Sequence, residues 1–410
     1  MNTETPIKKD PYSALRFKDF RFFLTTKILL TMALQIQAVV VGWQVYELTK
    51  DPLSLGLIGL AEILPNFSVT LFAGHFADIY NRKKIVLTCL FVLICSSFCL
   101  YLTSAYPHSY QLLSIYFLIG ISGFARGTLG PSMFSIMTEC VPKEHYFNST
   151  TWHSTLWQIA FMIGAGASGF VFNSIREKSY LFITLFVSCA FIAFLFIAPK
   201  PQKHTSDRGP IFASIKSGIK FVFSNQIFLG ALSLDLFAVL FGGAVALLPI
   251  FANEILKVGP SGLGFLKAAP SFGSFLMATF LVFHPPAKNA GKKLFAAVFG
   301  FGICMIVFAL SKNFVVSLMA LAVSGALDNI SVVVRGTIMQ TLTPPEMKGR
   351  VSAVNSVFIG SSNEIGAFES GVAAKLMGVV PSVVFGGTMT LLIVIFTYFK
   401  APKLRDLNFR

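Results

Sequence analysis

The sequence has little charge for its length. Only 12% of its 410 residues are Asp, Glu, Lys or Arg, whereas 54% are hydrophobic and 44 are Phe. A soluble globular domain usually carries about a quarter charged residues. This shortage, with a mean hydropathy of +0.72, argues against a soluble protein and indicates a chain embedded in a lipid bilayer.

Residues that form cofactor, metal and nucleotide sites are also scarce. The six cysteines (Cys89, Cys95, Cys99, Cys140, Cys189 and Cys304) lie in or beside apolar runs without a C-x-x-C pair, so they read as small buried hydrophobes. The six histidines have no ligand spacing, and neither a P-loop nor G-x-G-x-x-G occurs. We therefore expect no metal and no cofactor, an embedded enzyme is disfavoured, and an ATP-driven pump would need a separate subunit. No cleavable signal peptide is expected at residues 1–21.

Long apolar runs recur along the whole chain. A bilayer core of about 30 Å needs about 20 apolar residues per helical crossing, and the runs lack the alternation of a membrane barrel. We predict an all-α integral membrane protein with twelve transmembrane helices at 22–46, 53–76, 85–105, 111–138, 150–173, 179–198, 225–250, 260–283, 294–311, 314–341, 351–378 and 381–399.

The net charge of +15 is distributed in a way that predicts topology rather than nucleic-acid binding. Most of the 33 Lys and Arg residues fall in the two termini and in the even-numbered loops. By the positive-inside rule, both termini should be cytoplasmic, and the cations should lie near anionic lipid headgroups.

The two halves of the chain repeat each other. A shift of 202 residues matches Ser122-Gly123 to Ser324-Gly325, and a shift of 205 matches Pro65 to Pro270. Since six helices are duplicated, the copies share one orientation. We expect six-helix bundles at 1–198 and 225–410. The linker at 199–224 should hold an amphipathic interfacial helix, unless that segment only extends the seventh span.

Three motifs resemble those of the major facilitator superfamily. GHFADIYNRKK at 74–84 is similar to its loop signature between the second and third helices, with Asn81 in place of the usual glycine. RGTLG at 126–130 resembles its fourth-helix arginine motif, and GAGASG at 164–169 resembles its fifth-helix antiporter motif without the expected Gly-Pro. The stretch at 349–371 resembles the enterobactin-exporter and macrolide-efflux branch. The resemblance implies two pseudo-symmetric six-helix bundles that rock about a central cavity, in a monomer of the bacterial inner membrane.

The loop motif also has a predicted mechanical role. Gly74 would let two helices approach, and Asp78 would accept hydrogen bonds from the free amides at the start of the eleventh helix, near 349–351. The resemblance implies that this contact is a conformational latch on the cytoplasmic side, with Arg82, Lys83 and Lys84 beside it. A purely topogenic charge cluster would explain the three cations but not Asp78.

Charged residues inside the spans are the candidate functional residues, because each costs about 2.5 to 3.5 kcal/mol or more at the bilayer centre. Arg126 and Asp328 are repeat equivalents and would pair across the cavity in one state; Glu62 and Lys267 are a second equivalent pair. Glu62 and Glu369 should lie at similar depth, where two carboxylates cannot both ionise easily. We predict that cavity, substrate or proton-coupling roles fall to Arg126, Asp328, Glu364, Asp235, Glu62, Glu369 and Lys267. Lys27 and Arg335 are the remaining charged residues within the spans. For these two, the alternative to a functional role is a side chain that snorkels to the interface or a static structural ion pair.

Together with the charged residues in the spans, the resemblance implies a secondary transporter that exports a hydrophobic or amphipathic small molecule, siderophore- or drug-like, by alternating access driven by the proton gradient. Three alternatives stay open: uptake of an organic solute, flipping of a lysolipid, and a sensor or scaffold without transport. The expected partners are a small-molecule substrate and the bilayer, not nucleic acid.

Overall fold

A computed structural model describes residues 12–106, 109–198, 211–242, 244–284, 286, 288–344 and 347–409. For residues 71–79, and for several residues within 143–147, 211–218 and 348–361, the backbone alone is described. Gly74 and Asp78 of the predicted latch are among these residues, so their contacts lie outside the described set.

The described secondary structure is helical. After a 3₁₀ turn at Ser13–Arg16 come α1 (Lys18–Thr49), α2 (Pro52–Ile79), α3 (Arg82–Ala105), α4 (Gln111–Glu139), α5 (Tyr146–Ile175), α6 (Ser179–Leu195), α7 (Ile211–Ser224), α8 (Gln226–Gly242), α9 (Leu248–Ile250), α10 (Gly259–Phe283), α11 (Ala290–Leu310), α12 (Phe314–Leu342), α13 (Lys348–Met377), α14 (Val379–Lys400) and α15 (Pro402–Arg405). We call α1–α6 the N-terminal group and α8–α14 the C-terminal group.

The helices have the length and composition of membrane crossings. Ten stretches of the described residues are long and apolar enough to cross a bilayer, and one of them, Asn148–Leu195, contains both α5 and α6. The 30-residue α13 is also long enough, so the layout is consistent with twelve spans. Large apolar side chains such as Phe117, Phe283 and Phe399 are exposed, as expected for surfaces that contact lipid.

Two segments differ from their predicted bounds. α2 continues to Ile79, so the whole GHFAD segment at 74–78 is helical and only Tyr80 and Asn81 separate α2 from α3. The seventh span is broken: α8 ends at Gly242, and the chain continues through α9 and a π-helical turn at Phe251–Ile255. A π turn displaces later side chains around the helix axis and is frequent at functional sites.

α7 is a helix separate from α8. Asn225 lies between them and caps α8, because its side-chain oxygen accepts a hydrogen bond from the Ile227 amide at 3.0 Å. Ile219 and Phe223 of α7 are exposed apolar side chains, and Lys220 is exposed as well. An interfacial amphipathic helix remains our interpretation of this segment.

The two groups pack their helices in the same way. The contacts α1–α5, α1–α6, α2–α4, α3–α4 and α3–α6 have the counterparts α8–α13, α8–α14, α10–α12, α11–α12 and α11–α14. The groups meet through α2–α13 and α5–α10, which are also equivalent to each other. The packing is therefore that of two pseudo-symmetric six-helix bundles.

The groups are joined mainly on one side of the molecule. We call the side where α1 begins and α14 ends the terminal side, and the opposite side the far side. One apolar core runs through the N-terminal group and continues into the far-side ends of α10–α14. The terminal-side ends of α8, α11, α12, α13 and α14 form a second, separate core. The described cores are thus continuous between the groups only at the far side.

Candidate functional site

An ion pair between α2 and α4 forms the first part of the site. The Arg126 guanidinium donates to the Glu62 carboxylate. Gly123, one turn before Arg126, makes this possible: a Cβ there would lie 2.3 Å from the Glu62 carbonyl oxygen. Because glycine lacks that atom, the two backbones touch and the ionic side chains come within reach of each other.

A second carboxylate and a second cation reach the same place from the C-terminal group. Glu364 of α13 interacts electrostatically with Arg126 and with Lys267 of α10. It packs against α2, since a Cβ at Gly59 would be 3.1 Å from a Glu364 carboxylate oxygen. Gly59 lies one turn from Glu62, so carboxylates from the two groups approach one guanidinium.

Lys27 of α1 adds a third cation. It interacts electrostatically with Arg126 and with the half-buried His153 of α5. We call Lys27, Glu62, Arg126, Lys267 and Glu364 the central ionic cluster. Three cations face two carboxylates, so the cluster carries an excess of positive charge when its five members are ionised.

Part of the central ionic cluster is exposed although helices surround it. The Arg126 side chain is 35% exposed and that of Glu62 is 17% exposed; the other three members are half-buried. Since charged residues of α1, α2, α10 and α13 surround Arg126, its exposed surface faces a space between the helices.

The C-terminal group holds a second set of charges. Asp235 of α8 and Arg335 of α12 form a salt bridge in which each side chain is only 7% exposed. Asp328, also on α12, interacts electrostatically with both residues. We call Asp235, Asp328 and Arg335 the α12 triad.

Two pairings expected from the sequence are not present in this state. Arg126 pairs with Glu62 rather than with Asp328, because α4 packs on α2 within its own group. Glu369 lies on α13 in the stretch that faces Gly56. That stretch is about 9 Å along α2 from Glu62 at 1.5 Å per residue, so the two carboxylates are not at the same depth. The functional roles of these residues remain predictions.

The cations of the loop motif lie at helix ends on the terminal side. Arg82 pairs with Glu139 at the end of α4. The Lys83 ammonium donates to the carbonyls of Leu195 and Ile197, at 2.8 and 2.6 Å, at the end of α6. Both contacts place positive charge at the negative end of a helix, while Lys84 is exposed. The latch that involves Asp78 remains a prediction.

The far side carries contacts that the sequence did not reveal. The Tyr46 hydroxyl at the end of α1 donates to Glu254 in the π turn, and the Lys375 ammonium of α13 lies 3.5 Å from the Asp51 carboxylate. α2 and α13 touch at Gly56 and Gly371. All three contacts link the two groups. The only sequence signal was the presence of polar residues at the predicted ends of the spans.

Comparison with known proteins agrees with this architecture. The family model described as Major Facilitator Superfamily matches residues 23–367. The chain belongs to the major facilitator superfamily. It is therefore a membrane transporter and not an enzyme, and a superfamily member of this kind binds a small-molecule substrate within the membrane.

Individual relatives within the superfamily are distant. The chain is 24% identical over 390 residues to the enterobactin exporter EntS of Shigella boydii, which covers 91% of this chain and 89% of EntS. It is 22% identical over 295 residues to YfmI of Bacillus subtilis, described as an uncharacterized MFS-type transporter, which covers 68% of this chain and 72% of YfmI.

Solved structures of the superfamily fold resemble the chain along nearly its full length. The nucleoside transporter NupG superposes with a TM-score of 0.75 at 11% identity, covering 94% of this chain and 98% of NupG. A bacterial homologue of the lysosomal transporter Spinster, in an inward-facing unoccupied conformation, gives 0.68 at 14% identity, covering 95% and 96%. At these identities the likeness shows the fold alone.

Proposed function

We propose that this superfamily member exports a hydrophobic or amphipathic small molecule from the cytoplasm in exchange for protons. Similarity to enterobactin exporters along nine-tenths of the chain supports the direction and the type of substrate. The observation that carries the proposal is the central ionic cluster, to which both helix groups contribute charges and in which Arg126 is partly exposed. The bundles at 1–198 and 225–410 would move as units about it, joined by the linker at 199–224.

Arg126 gives the cluster a way to respond to a proton. It pairs directly with Glu62 of its own group and interacts with Glu364 of the other group. Protonation of Glu364 removes its attraction for Arg126 and Lys267, and with it an electrostatic link between the groups. Loss of that link can bias the equilibrium between two arrangements of the helix groups.

The charge distribution and the far-side contacts support substrate entry from the cytoplasm. Lys and Arg are concentrated on the terminal side, which supports a cytoplasmic location for this side under the positive-inside rule. Described polar contacts between the groups lie at the far side, and we propose that they hold that side closed while substrate enters from the cytoplasm. The membrane would then be the bacterial inner membrane.

The charge of the cluster narrows the class of substrate. Three cations and two carboxylates leave an excess positive charge between the helices, where the effective dielectric is lower than in bulk water and an anion is attracted more strongly. We therefore propose an amphipathic substrate that carries a negative or strongly hydrogen-bonding polar group, as a catecholate siderophore does.

The experiment is transport into everted vesicles that contain the purified protein under an imposed pH gradient. A panel of catecholate siderophores and of anionic and cationic amphipathic dyes would be compared for wild type, Glu364→Gln and, as a matched control, Glu177→Gln in the exposed turn at Arg176–Lys178. We expect gradient-driven accumulation of anionic compounds by wild type and Glu177→Gln only. Accumulation in right-side-out vesicles instead would establish uptake, and no accumulation in either orientation would contradict proton-coupled transport of this class of compound.

A further inference from the structure

A groove of about 530 Å³ lies between α11 and α14 near the terminal side. The helices that α11 and α14 contact most, apart from each other, are α8, α12, α13 and α15, all in the C-terminal half of the chain. Neither helix carries a member of the central ionic cluster, and Phe399 at the rim of the groove is 72% exposed. The groove is therefore on the outer surface of the transporter, where the surroundings are lipid.

Small side chains on α11 create the groove. Lys292, Ala296 and Gly300 follow each other at intervals of four residues, so they lie in one line along the helix. At 1.5 Å per residue this line is about 12 Å long, which is most of the thickness of one leaflet of a hydrocarbon core of about 30 Å. The cation lies at the terminal-side end of the line, and the two small residues leave space toward the middle of the membrane.

The walls of the groove are apolar and aromatic. Phe295 and Val394 are buried, whereas Phe299 is exposed at the edge. The Phe295 and Tyr398 rings meet edge to face, with 5.3 Å between their centroids. Lipid tails are as apolar as these walls, so an acyl chain packs here by van der Waals contact alone. Selection of one lipid over another must therefore come from the polar end of the groove.

The C-terminal segment fixes that polar end. The Gly291 amide at the start of α11 donates to the Leu407 carbonyl at 3.1 Å, which holds the segment after α14 against α11. Arg405 of the same segment lies over the Tyr398 ring, 5.2 Å from its centroid. Since Tyr398 and Lys292 both line the groove, two cations from different parts of the chain border its terminal-side end.

Positive charge exceeds negative charge at this end. The carboxylate of Asp406 already accepts two hydrogen bonds from Arg405, at 3.0 and 3.2 Å. Within the described residues at 284–299 and 394–409, that one acid stands against six cations, which are Lys288, Lys292, Lys293, Lys400, Lys403 and Arg405. The five lysines are exposed. An excess of cations next to an apolar groove between helices is the arrangement that binds anionic lipid headgroups.

The corresponding helix ends of the N-terminal group are occupied by the protein itself. The pairs α3–α6 and α11–α14 are equivalent in the pseudo-symmetric packing. Lys83 at the start of α3 donates to the Leu195 and Ile197 carbonyls at the end of α6, and the cavity beside it measures only about 10 Å³. The open groove is thus a feature of one bundle and not a general consequence of the repeated packing.

We propose that the α11–α14 groove binds an anionic phospholipid of the terminal-side leaflet, with its phosphate at Lys292 beside Arg405 and one acyl chain along Ala296 and Gly300. A zwitterionic lipid fits the walls equally well but leaves the excess positive charge uncompensated. A second copy of the chain has the same orientation in the membrane, so it would bring like charges together at this end. The site does not depend on the direction or coupling of transport.

Native mass spectrometry of the full-length protein tests this proposal, because it counts the lipids bound during a titration of delipidated protein. The probes are phosphatidylglycerol and phosphatidylcholine with identical acyl chains. We expect the first phosphatidylglycerol to bind more tightly than the first phosphatidylcholine by at least about fivefold, which is the factor that one cation near an anionic headgroup contributes.

Two substitutions separate the headgroup from the groove. Lys292→Gln should weaken phosphatidylglycerol binding by about fivefold, with a smaller effect on phosphatidylcholine. Ala296→Phe fills the line of small side chains and should weaken binding of both lipids. The matched controls are Lys312→Gln, at an exposed lysine just beyond the other end of α11, and Val307→Phe, at an exposed position in the far-side half of α11. Both controls should bind lipid as wild type does.

Equal affinity of wild type for the two lipids would overturn the proposal. So would unchanged phosphatidylglycerol binding in Ala296→Phe, since the lipid would then lie elsewhere. Displacement of the lipid by inorganic phosphate would contradict a role for the groove, and a dimer that Ala296→Phe separates into monomers would assign the groove to a second copy. If Ala296→Phe does not fold, the lipid preference of Lys292→Gln against Lys312→Gln still decides whether a headgroup is recognised here.

Discussion

At the scale of single residues, the two intramembrane ion pairs have different physical settings. Glu62–Arg126 is partly exposed between the helix groups, at 17% and 35%, whereas Asp235–Arg335 is enclosed at 7% each. Removing one partner of an enclosed pair strands a charge and costs about 3 to 5 kcal/mol. An exposed partner keeps part of its hydration, so the same change at Arg126 costs less.

This difference in burial predicts how substitution of each arginine changes the stability of the protein. Arg335→Gln should lower the thermal unfolding temperature in detergent clearly more than Arg126→Gln, because it leaves Asp235 and Asp328 without a cation. The double variant Asp235→Asn with Arg335→Gln should recover part of the loss. Equal unfolding temperatures for the two single variants would contradict this account.

Single residues also show what the sequence could not provide. The apolar background made Glu62, Arg126, Asp235, Asp328 and Glu364 conspicuous, and the repeat showed which positions are equivalent. Equivalence in the repeat does not determine which side chains touch. The partner of a charged side chain depends on how the neighbouring helices are rotated and how closely they approach. For that reason Arg126 meets Glu62 of the adjacent helix rather than its repeat equivalent, Asp328.

At the scale of helices, close backbone approach sets the positions of the charges. Gly123 on α4 abuts the Glu62 carbonyl, while Gly130, two turns further along the same helix, has nothing within 4 Å of an added Cβ. The repeat equivalent of Gly123, Gly325 on α12, abuts the Pro270 carbonyl of α10 in the same way.

These two glycines on α4 form a matched pair for mutation. Gly123→Ala should push α2 from α4, destabilise the protein by about 1 to 3 kcal/mol and weaken transport by separating Glu62 from Arg126. Gly130→Ala should be neutral or slightly stabilising, since alanine favours a helix over glycine. Thermal unfolding and vesicle transport would check both variants, and similar losses in the two would contradict the packing explanation.

The π turn gives a second element-scale prediction, for the far-side contact. Tyr46→Phe removes the hydrogen bond to Glu254, and such a bond to a charged group contributes about 1.5 to 3 kcal/mol. The ratio of far-side-open to far-side-closed molecules, measured by spin-label distances across the far side, should rise by about tenfold or more.

Tyr110→Phe, at an exposed tyrosine just before α4, is the control and should leave the ratio unchanged. An unchanged ratio in Tyr46→Phe would show that this hydrogen bond does not hold the far side closed.

At the scale of the whole molecule, the architecture could be predicted from the sequence, whereas the contacts between the two helix groups could not. A bilayer requires long apolar helices, so twelve spans can be read from apolar runs, and a duplicated pattern requires two similar bundles. The break in the seventh span and the far-side contacts of Tyr46, Glu254 and Lys375 leave no such pattern. They depend on a local π turn and on how the two groups meet in one conformation of the cycle.

The central claim is that Glu364 couples a proton gradient to movement of substrate. The most direct measurement compares two activities of Glu364→Gln in the same vesicles: accumulation driven by a pH gradient, and downhill movement of the same compound without a gradient. A glutamine binds no proton, so a pH gradient has no influence on the carrier through this residue, whereas a substrate gradient still does. The account predicts that accumulation is lost and downhill movement is retained; accumulation equal to that of wild type would contradict it.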